Sequence, residues 1–180
     1  MRSWGPTAFC RRGDPLACPL VPCRVINSIY DLRPRELRSQ GIRLVLCDLD
    51  NTLARYEEPL PSPALRSWKD ALEEEGVALF VVSNSRKSRR CPDFCESLGI
   101  GYVRHAGKPG GQGFREALAA AGVTAEEAVM VGDQIFTDIW GANRAGIYSV
   151  LVRPLAWGKN PLRRVRYAIE APFRWAGKRK

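Results

Sequence analysis

Three uninterrupted apolar runs in this chain each stop on a polar residue: Leu44–Cys47 on Asp48, Val77–Val82 on Ser83, and Ala128–Val131 on Gly132-Asp133. Runs of this length, without the alternation of a half-solvated strand, predict strands covered on both faces. Between them lie segments with helix punctuation. Residues 63–75 open on Ser62 as a capping residue, carry Pro63 in the first turn and close before Gly76. Residues 86–98, disturbed locally by Pro92, end at Gly99, Phe114–Ala121 ends at Gly122, and Phe136–Ala145 reads as one helix. A short helix at Pro34–Ser39, a short strand at Gly101–Arg104 and a last strand at Ile147–Val152 complete the pattern. Strands separated by single helices predict an open α/β sheet whose strands are mostly parallel.

That topology restricts where chemistry can occur. In open α/β sheets ligands bind outside the carboxyl ends of the strands. Asp48, Ser83 and Asp133 leave three different strands at that edge, so three separate parts of the chain deliver polar groups to one place. Asp48-Leu49-Asp50-Asn51-Thr52 has the composition of a turn. It also sets two carboxylates two residues apart, which suits attack on phosphorus by one and proton handling by the other. Carboxylates of this kind suit Mg²⁺ as well, which takes oxygen ligands and keeps several waters. Asp133 and Asp138 add two more carboxylates at a strand–helix junction, where Asp138 could also serve a helix N-terminus. Ser83 can donate a hydroxyl to a phosphate oxygen. Lys108, in Gly107-Lys108-Pro109-Gly110-Gly111, would place a cation opposite the carboxylates. His105, the single histidine, reads as a surface residue, and no G-x-S-x-G elbow accompanies any serine, which disfavours acyl hydrolysis.

Charge is divided along the chain rather than spread over it. The net +9 comprises eight basic and three acidic side chains in residues 1–43, and nine and one in residues 153–180. Between them, residues 44–152 carry eleven basic and fifteen acidic groups. An acidic centre between basic ends is a poor match for a nucleic-acid module, and no RNA- or DNA-binding motif accompanies the arginines. Cys10, Cys18, Cys23, Cys47, Cys91 and Cys95 do not have zinc-finger spacing. Cys47 reads as a small core residue, and Cys91 and Cys95 as a pair that could share a helix face. The first twenty residues lack the continuous apolar core of a secretory signal, and no stretch approaches the length of a membrane-spanning helix. A cytoplasmic setting with reduced thiols is the expectation.

Taken in order, Asp48-Leu49-Asp50-Asn51-Thr52-Leu53, Ser83-Asn84, Lys108-Pro109 and Gly132-Asp133 through Asp138 resemble the four motifs of the haloacid dehalogenase (HAD) superfamily. Gly141-Ala142-Asn143-Arg144-Ala145-Gly146 is similar to its usual continuation. Ser28-Ile29-Tyr30-Asp31-Leu32-Arg33-Pro34 and Val131-Gly132-Asp133-Gln134 resemble the small YqeG-type phosphatases of subfamily IIIA. The resemblance implies a Rossmann-like three-layer α/β sandwich and a Mg²⁺-dependent phosphatase acting through an aspartyl-phosphate. It implies Asp48 as nucleophile, Asp50 as general acid/base with its carbonyl on the metal, and Lys108 stabilising the intermediate. Thr52, Ser83, Asn84 and Lys108 would bind the substrate phosphate; Asp48, Asp50, Asp133 and Asp138 would form the metal site, Asp138 from its outer shell.

The intervals after Leu53 and before Lys108 are too short for an inserted cap domain, so the fold should be capless and the site open. The similarity of the YqeG-type family to mitochondrial phosphatidylglycerophosphate phosphatases makes that lipid headgroup the leading substrate. Nucleic-acid ends, small phosphorylated metabolites and a non-catalytic phospho-accepting domain are the alternatives. Domain limits follow as a poorly ordered extension over residues 1–24, a catalytic domain over 25–155 and a basic C-terminal segment over 156–180. In that segment Leu162, Val165, Ala168 and Ile169 recur at helical spacing around Arg163, Arg164 and Arg166, with Phe173, Trp175 and Lys178-Arg179-Lys180 beyond. It reads either as a peripheral contact with anionic membrane at the inner face or as a helix packed on the domain, with Pro172 limiting its length.

Overall fold

The computed structural model describes residues 18–85, 89–156, 165 and 167–178. Six parallel strands form one sheet in the order β1-β6-β5-β2-β3-β4: β1 (Arg24–Ile26), β2 (Leu44–Cys47), β3 (Ala78–Ser83), β4 (Gly101–Arg104), β5 (Ala128–Gly132) and β6 (Tyr148–Val152). The chain leaves β2 toward β3 and β4, then crosses back to β5 on the other side of β2, and β2 pairs with both β3 and β5. The boundary between β2 and β5 is therefore the point where strand order reverses and where α/β sheets open a crevice.

Side-chain alternation builds the two outer layers. From β2, Val45 and Cys47 join a core with Leu37, Leu65, Trp68, Leu72 and Phe94, carried by α1 (Pro34–Ser39), α2 (Pro63–Glu74) and α3 (Arg90–Leu98). Leu44 and Leu46 point to the opposite face, against Phe114, Ala117 and Ala142 of α4 (Gln112–Ala121) and α5 (Trp140–Ala145). All four β2 residues are buried, as continuous apolar runs require. Ser62 caps α2 as its position predicts, its Oγ accepting from the Leu65 N–H at 3.2 Å. Among the described residues no cap domain stands over the carboxyl edge.

The structure departs from the sequence expectation at four places. Strand β1 has no counterpart in it, since three residues with only Ile26 buried offer no periodicity to read. Residues 18–24, at the end of the stretch expected to be poorly ordered, are placed against the sheet. Asn143 Nδ2 donates to the carbonyls of Pro19 and Val21, and the Cys23 N–H donates to Ser149 O. Pro92 does not disturb α3, because it falls in the first turn, where no N–H is needed. The helix expected over Phe136–Ala145 is instead one wide π-type turn, Ile135–Ile139, running into α5. Residues 1–17 with Cys10, the tail residues Leu162, Arg163, Arg164 and Arg166, and Arg179-Lys180 lie outside the described residues. Cys91 and Cys95 are buried free thiols with their sulfurs 4.0 Å apart.

Beyond the sheet, the helix Ala171–Lys178 holds Pro172 in its first turn and packs on the β1 end of the fold. Phe173 meets a small cluster of Ile135, Ile139 and Leu151, and Gly177 lies against Pro22. Among the described residues no helix is long and apolar enough to cross a membrane.

Candidate active site

Each strand at the switch point delivers its side chain through a different local device. After β2 the ladder continues one residue further, the Asp48 N–H donating to Val131 O at 3.0 Å, so Asp48 is fixed by the sheet itself. The chain then turns through Asn51, whose φ of 68° lies in the left-handed region that asparagine tolerates better than most residues. The N–H groups of Leu53 and Ala54 both return to Leu49 O, which closes the turn. Thr52 is buried within it, and its Oγ1 has no hydrogen-bond partner among the described residues.

From β3, Ser83 is buried and its Oγ accepts from the Ser85 N–H at 3.0 Å, so its own hydrogen remains to donate. The Asn84 side chain holds Lys108. Its Oδ1 accepts from the Lys108 N–H at 3.0 Å while its Nδ2 donates to Lys108 O at 2.9 Å. The amide thus brackets the backbone of the residue it positions, with one Nδ2 hydrogen left over. A phosphate contact from Asn84, as the resemblance implies, would then draw on its backbone N–H or on the second Nδ2 hydrogen.

Lys108 is only 6% exposed and bridges two carboxylates, with Nζ 2.7 Å from Asp48 Oδ1 and 2.7 Å from Asp138 Oδ1. Burial alone would lower an ammonium's affinity for its proton. Asp138 and Asp48 together outweigh that effect and hold Lys108 protonated above its ordinary range. Asp138 is pushed up to about 6, first by burial and also by the facing Asp48, against the pull of Lys108. Asp138 Oδ2 accepts from the Gln134 N–H at 3.1 Å. Asp133 follows β5 directly, and one ligand oxygen from each of Asp48, Asp133 and Asp138 lies within 4.8 Å of the other two. Gly132 makes room for this packing, because a Cβ at that position would overlap the Asp138 carboxyl group.

Asp50 stands apart from that cluster. Its Oδ1 accepts from Arg90 Nε at 2.7 Å, and the same guanidinium donates to Glu58 O and Arg55 O at 2.7 Å each. Arg90 also lies 5.5 Å from the centre of the Tyr56 ring. Sequence reasoning missed Arg90. It lies at the end of a run of basic residues, and nothing in the run marks which arginine returns to Asp50. His105 is exposed, as expected.

The assembled groups are a carboxylate on a central strand, a buried ammonium, two further carboxylates and a separately held fourth. A buried polar cluster of this charge is costly unless its members are compensated; Lys108 opposes Asp48 and Asp138, and the carboxylates of the cluster outnumber that ammonium. Such a cluster suits polarising and transferring an anionic group.

Known proteins share this arrangement of chain. The HAD-hydrolase-like family model matches residues 105–163. The probable phosphatase YqeG of Bacillus subtilis (strain 168) is 33% identical over 160 residues, which span 89% of this chain and 92% of that protein. The chloroplastic phosphatidylglycerophosphate phosphatase 1 of Chlamydomonas reinhardtii is 35% identical over 138 residues, 71% of this chain. This chain spans only 50% of the length of that algal relative. A crystal structure of an uncharacterized protein from Listeria monocytogenes serotype 4b shares the fold, with a TM-score of 0.51 at 21% identity over 67% of this chain and 80% of that one.

Proposed function

Because this chain belongs to the YqeG-type family of HAD phosphatases, we propose that it cleaves its phosphomonoester through a covalent phosphate on Asp48. The observation that carries this reading is the buried Lys108 ammonium between Asp48 and Asp138, beside Asp133. In the first half-reaction a carboxylate oxygen of Asp48 attacks phosphorus and the ester P–O bond breaks. Asp50 gives its proton to the leaving oxygen. In the second, water attacks the phosphorus of the acyl phosphate, Asp50 takes the water's proton, and Asp48 is released with inorganic phosphate. Lys108 offsets the like charges of Asp48, Asp138 and the arriving phosphate. Ser83 and the Thr52 hydroxyl, which has no partner among the described residues, supply donors to phosphoryl oxygens.

Three close, buried carboxylates form a hard oxygen donor set that fits a divalent cation, and Mg²⁺ is the ion we assign. Asp48 and Asp133 would hold it with the Asp50 carbonyl, and Asp138 would support them. When bound, the ion neutralises charge on phosphoryl oxygens.

The capless edge leaves room for a bulky leaving group, and phosphatidylglycerophosphate is the substrate we favour, by analogy with the algal relative. Val165, Ile169 and Trp175 are exposed large apolar side chains on the C-terminal segment, which supports peripheral contact with an anionic inner membrane face. The test of the reaction is hydrolysis of p-nitrophenyl phosphate, abolished by EDTA. In Asp48→Asn turnover should fall by on the order of 10⁴-fold or more; near-wild-type turnover would remove the nucleophile assignment. A panel of phosphatidylglycerophosphate, nucleotides, sugar phosphates and 5′-phosphorylated oligonucleotides decides the substrate. The affinity for vesicles rich in phosphatidylglycerol, read by sedimentation, should drop by far more than tenfold when Val165, Ile169 and Trp175 are changed to serine, since each buried apolar side chain is worth roughly 1.5–3 kcal/mol. Unchanged binding would exclude the membrane contact.

A further inference from the structure

One buried carboxylate takes no part in the scheme above. Glu170 is 1% exposed and lies in the C-terminal segment, far along the chain from every site motif. Its Oε1 accepts from the N–H groups of Ile135 at 3.0 Å and Phe136 at 3.3 Å. Those are the first two residues of the helical run that carries Asp138, and the leading N–H groups of a helix have no partner within it. A negative charge is favoured at that end. The preceding N–H, of Gln134, goes to Asp138 Oδ2. Two carboxylates thus divide three successive amides, one from within the loop and one from 31 residues beyond its end.

Glu170 is itself held. Arg174 Nη2 lies 3.6 Å from Glu170 Oε2 and donates to Tyr167 O at 3.3 Å, and the guanidinium stacks on the Tyr167 ring at 3.4 Å. Burial lowers Arg174 from its ordinary value, and Tyr167, Glu170 and Asp133 draw it back. Phe173, on the same helix as Arg174, packs edge-on against Phe136 with ring centres 6.5 Å apart.

We propose that Glu170 is a positioning residue of the metal site. It fixes the Gln134–Ile139 turn from outside, so that Asp138 keeps its carboxyl group turned to Lys108 and Asp48 and Asp133 stays beside them. The inference rests on the metal-dependent phosphatase reading and extends the working unit past residue 155, the limit expected from sequence. Without Glu170 the Ile135 and Phe136 amides lose their acceptor, and Asp138, which already accepts from the neighbouring Gln134 N–H, would be drawn toward them at the expense of its place in the cluster.

The test uses the full-length protein, with Mn²⁺ as the probe and its binding followed by electron paramagnetic resonance. Thermal melts of each variant run alongside. Glu170→Ala should weaken Mn²⁺ binding by about 10–100-fold, the range for losing a group that orients metal ligands. Glu170→Gln keeps an acceptor oxygen without the charge and should lose only several-fold. If Glu170→Ala does not fold, Glu170→Gln decides alone. Either folded variant binding Mn²⁺ as the wild type does would overturn the proposal. Wild-type protein that binds Mn²⁺ yet hydrolyses no phosphomonoester would sink the phosphatase reading while leaving the effect of Glu170 on binding intact. Wild-type protein that binds no Mn²⁺ would overturn both.

Discussion

The two halves of the site hold their carboxylates differently. Around Lys108, everything is buried: Asp48 and Asp138 pair with the ammonium, and Asp133 lies alongside. Around Asp50, the partner is Arg90, which spends its other donors on the carbonyls of Arg55 and Glu58, in a loop whose Tyr56 and Leu60 are exposed. The first half is part of the core and resists change of shape. The second is tied to a surface loop, and on the proposed mechanism it is the half that serves the leaving group. If Asp48 and Asp50 have the roles proposed for them, phosphate handling and leaving-group handling rest on separate supports, and changes at Arg55–Leu60 would leave the buried charges undisturbed.

Three substitutions would sharpen or break that division. Asp50→Asn should cut turnover of an alkyl phosphate by about 10³-fold, the middle of the range for losing a general acid, while stability falls by about 1 kcal/mol. A large loss of stability would show that Asp50 belongs to the core half after all. Lys108→Met should cost about 10²-fold in turnover and, unlike Asp50→Asn, roughly 3–5 kcal/mol in urea unfolding, because it leaves buried carboxylates facing one another. Activity lost with stability intact would contradict the buried-bridge reading. The smallest effect is expected of Arg90→Ala. It should lower kcat/KM, which reports the first half-reaction, by about tenfold for an alkyl phosphate through a misplaced Asp50, and much less for p-nitrophenyl phosphate, whose leaving group needs little proton assistance. Equal losses on the two substrates would separate Arg90 from Asp50.

What could be read from residues alone follows the same division. Asp48, Ser83 and Asp133 were legible because buried runs end on them, and burial of a strand is written in consecutive apolar positions. The ammonium was legible once carboxylates had been placed at one edge, although the bracket by Asn84 was not, since an amide does not reveal which of its neighbours it will bind. The π-type turn at Ile135–Ile139 escaped notice because its sequence has ordinary helical periodicity; the widening comes from Gln134 O accepting from both Asp138 and Ile139. Arg90 and Glu170 were invisible for a different reason. Each acts on a backbone or carboxyl group more than thirty residues away, and local spacing carries no record of such a pairing.

Gly132 has a consequence for how this protein can change over generations. Its backbone does not demand glycine; the Asp138 carboxyl group does, by occupying the space of a Cβ. Loss of Asp138 would therefore free position 132 to drift to alanine or serine at little cost to folding. From there a reversion at position 138 would meet a side chain in its way and fail to restore the site. The contact works as a ratchet: a lineage that gives up this carboxylate and then fills position 132 needs two coordinated reversals to regain it.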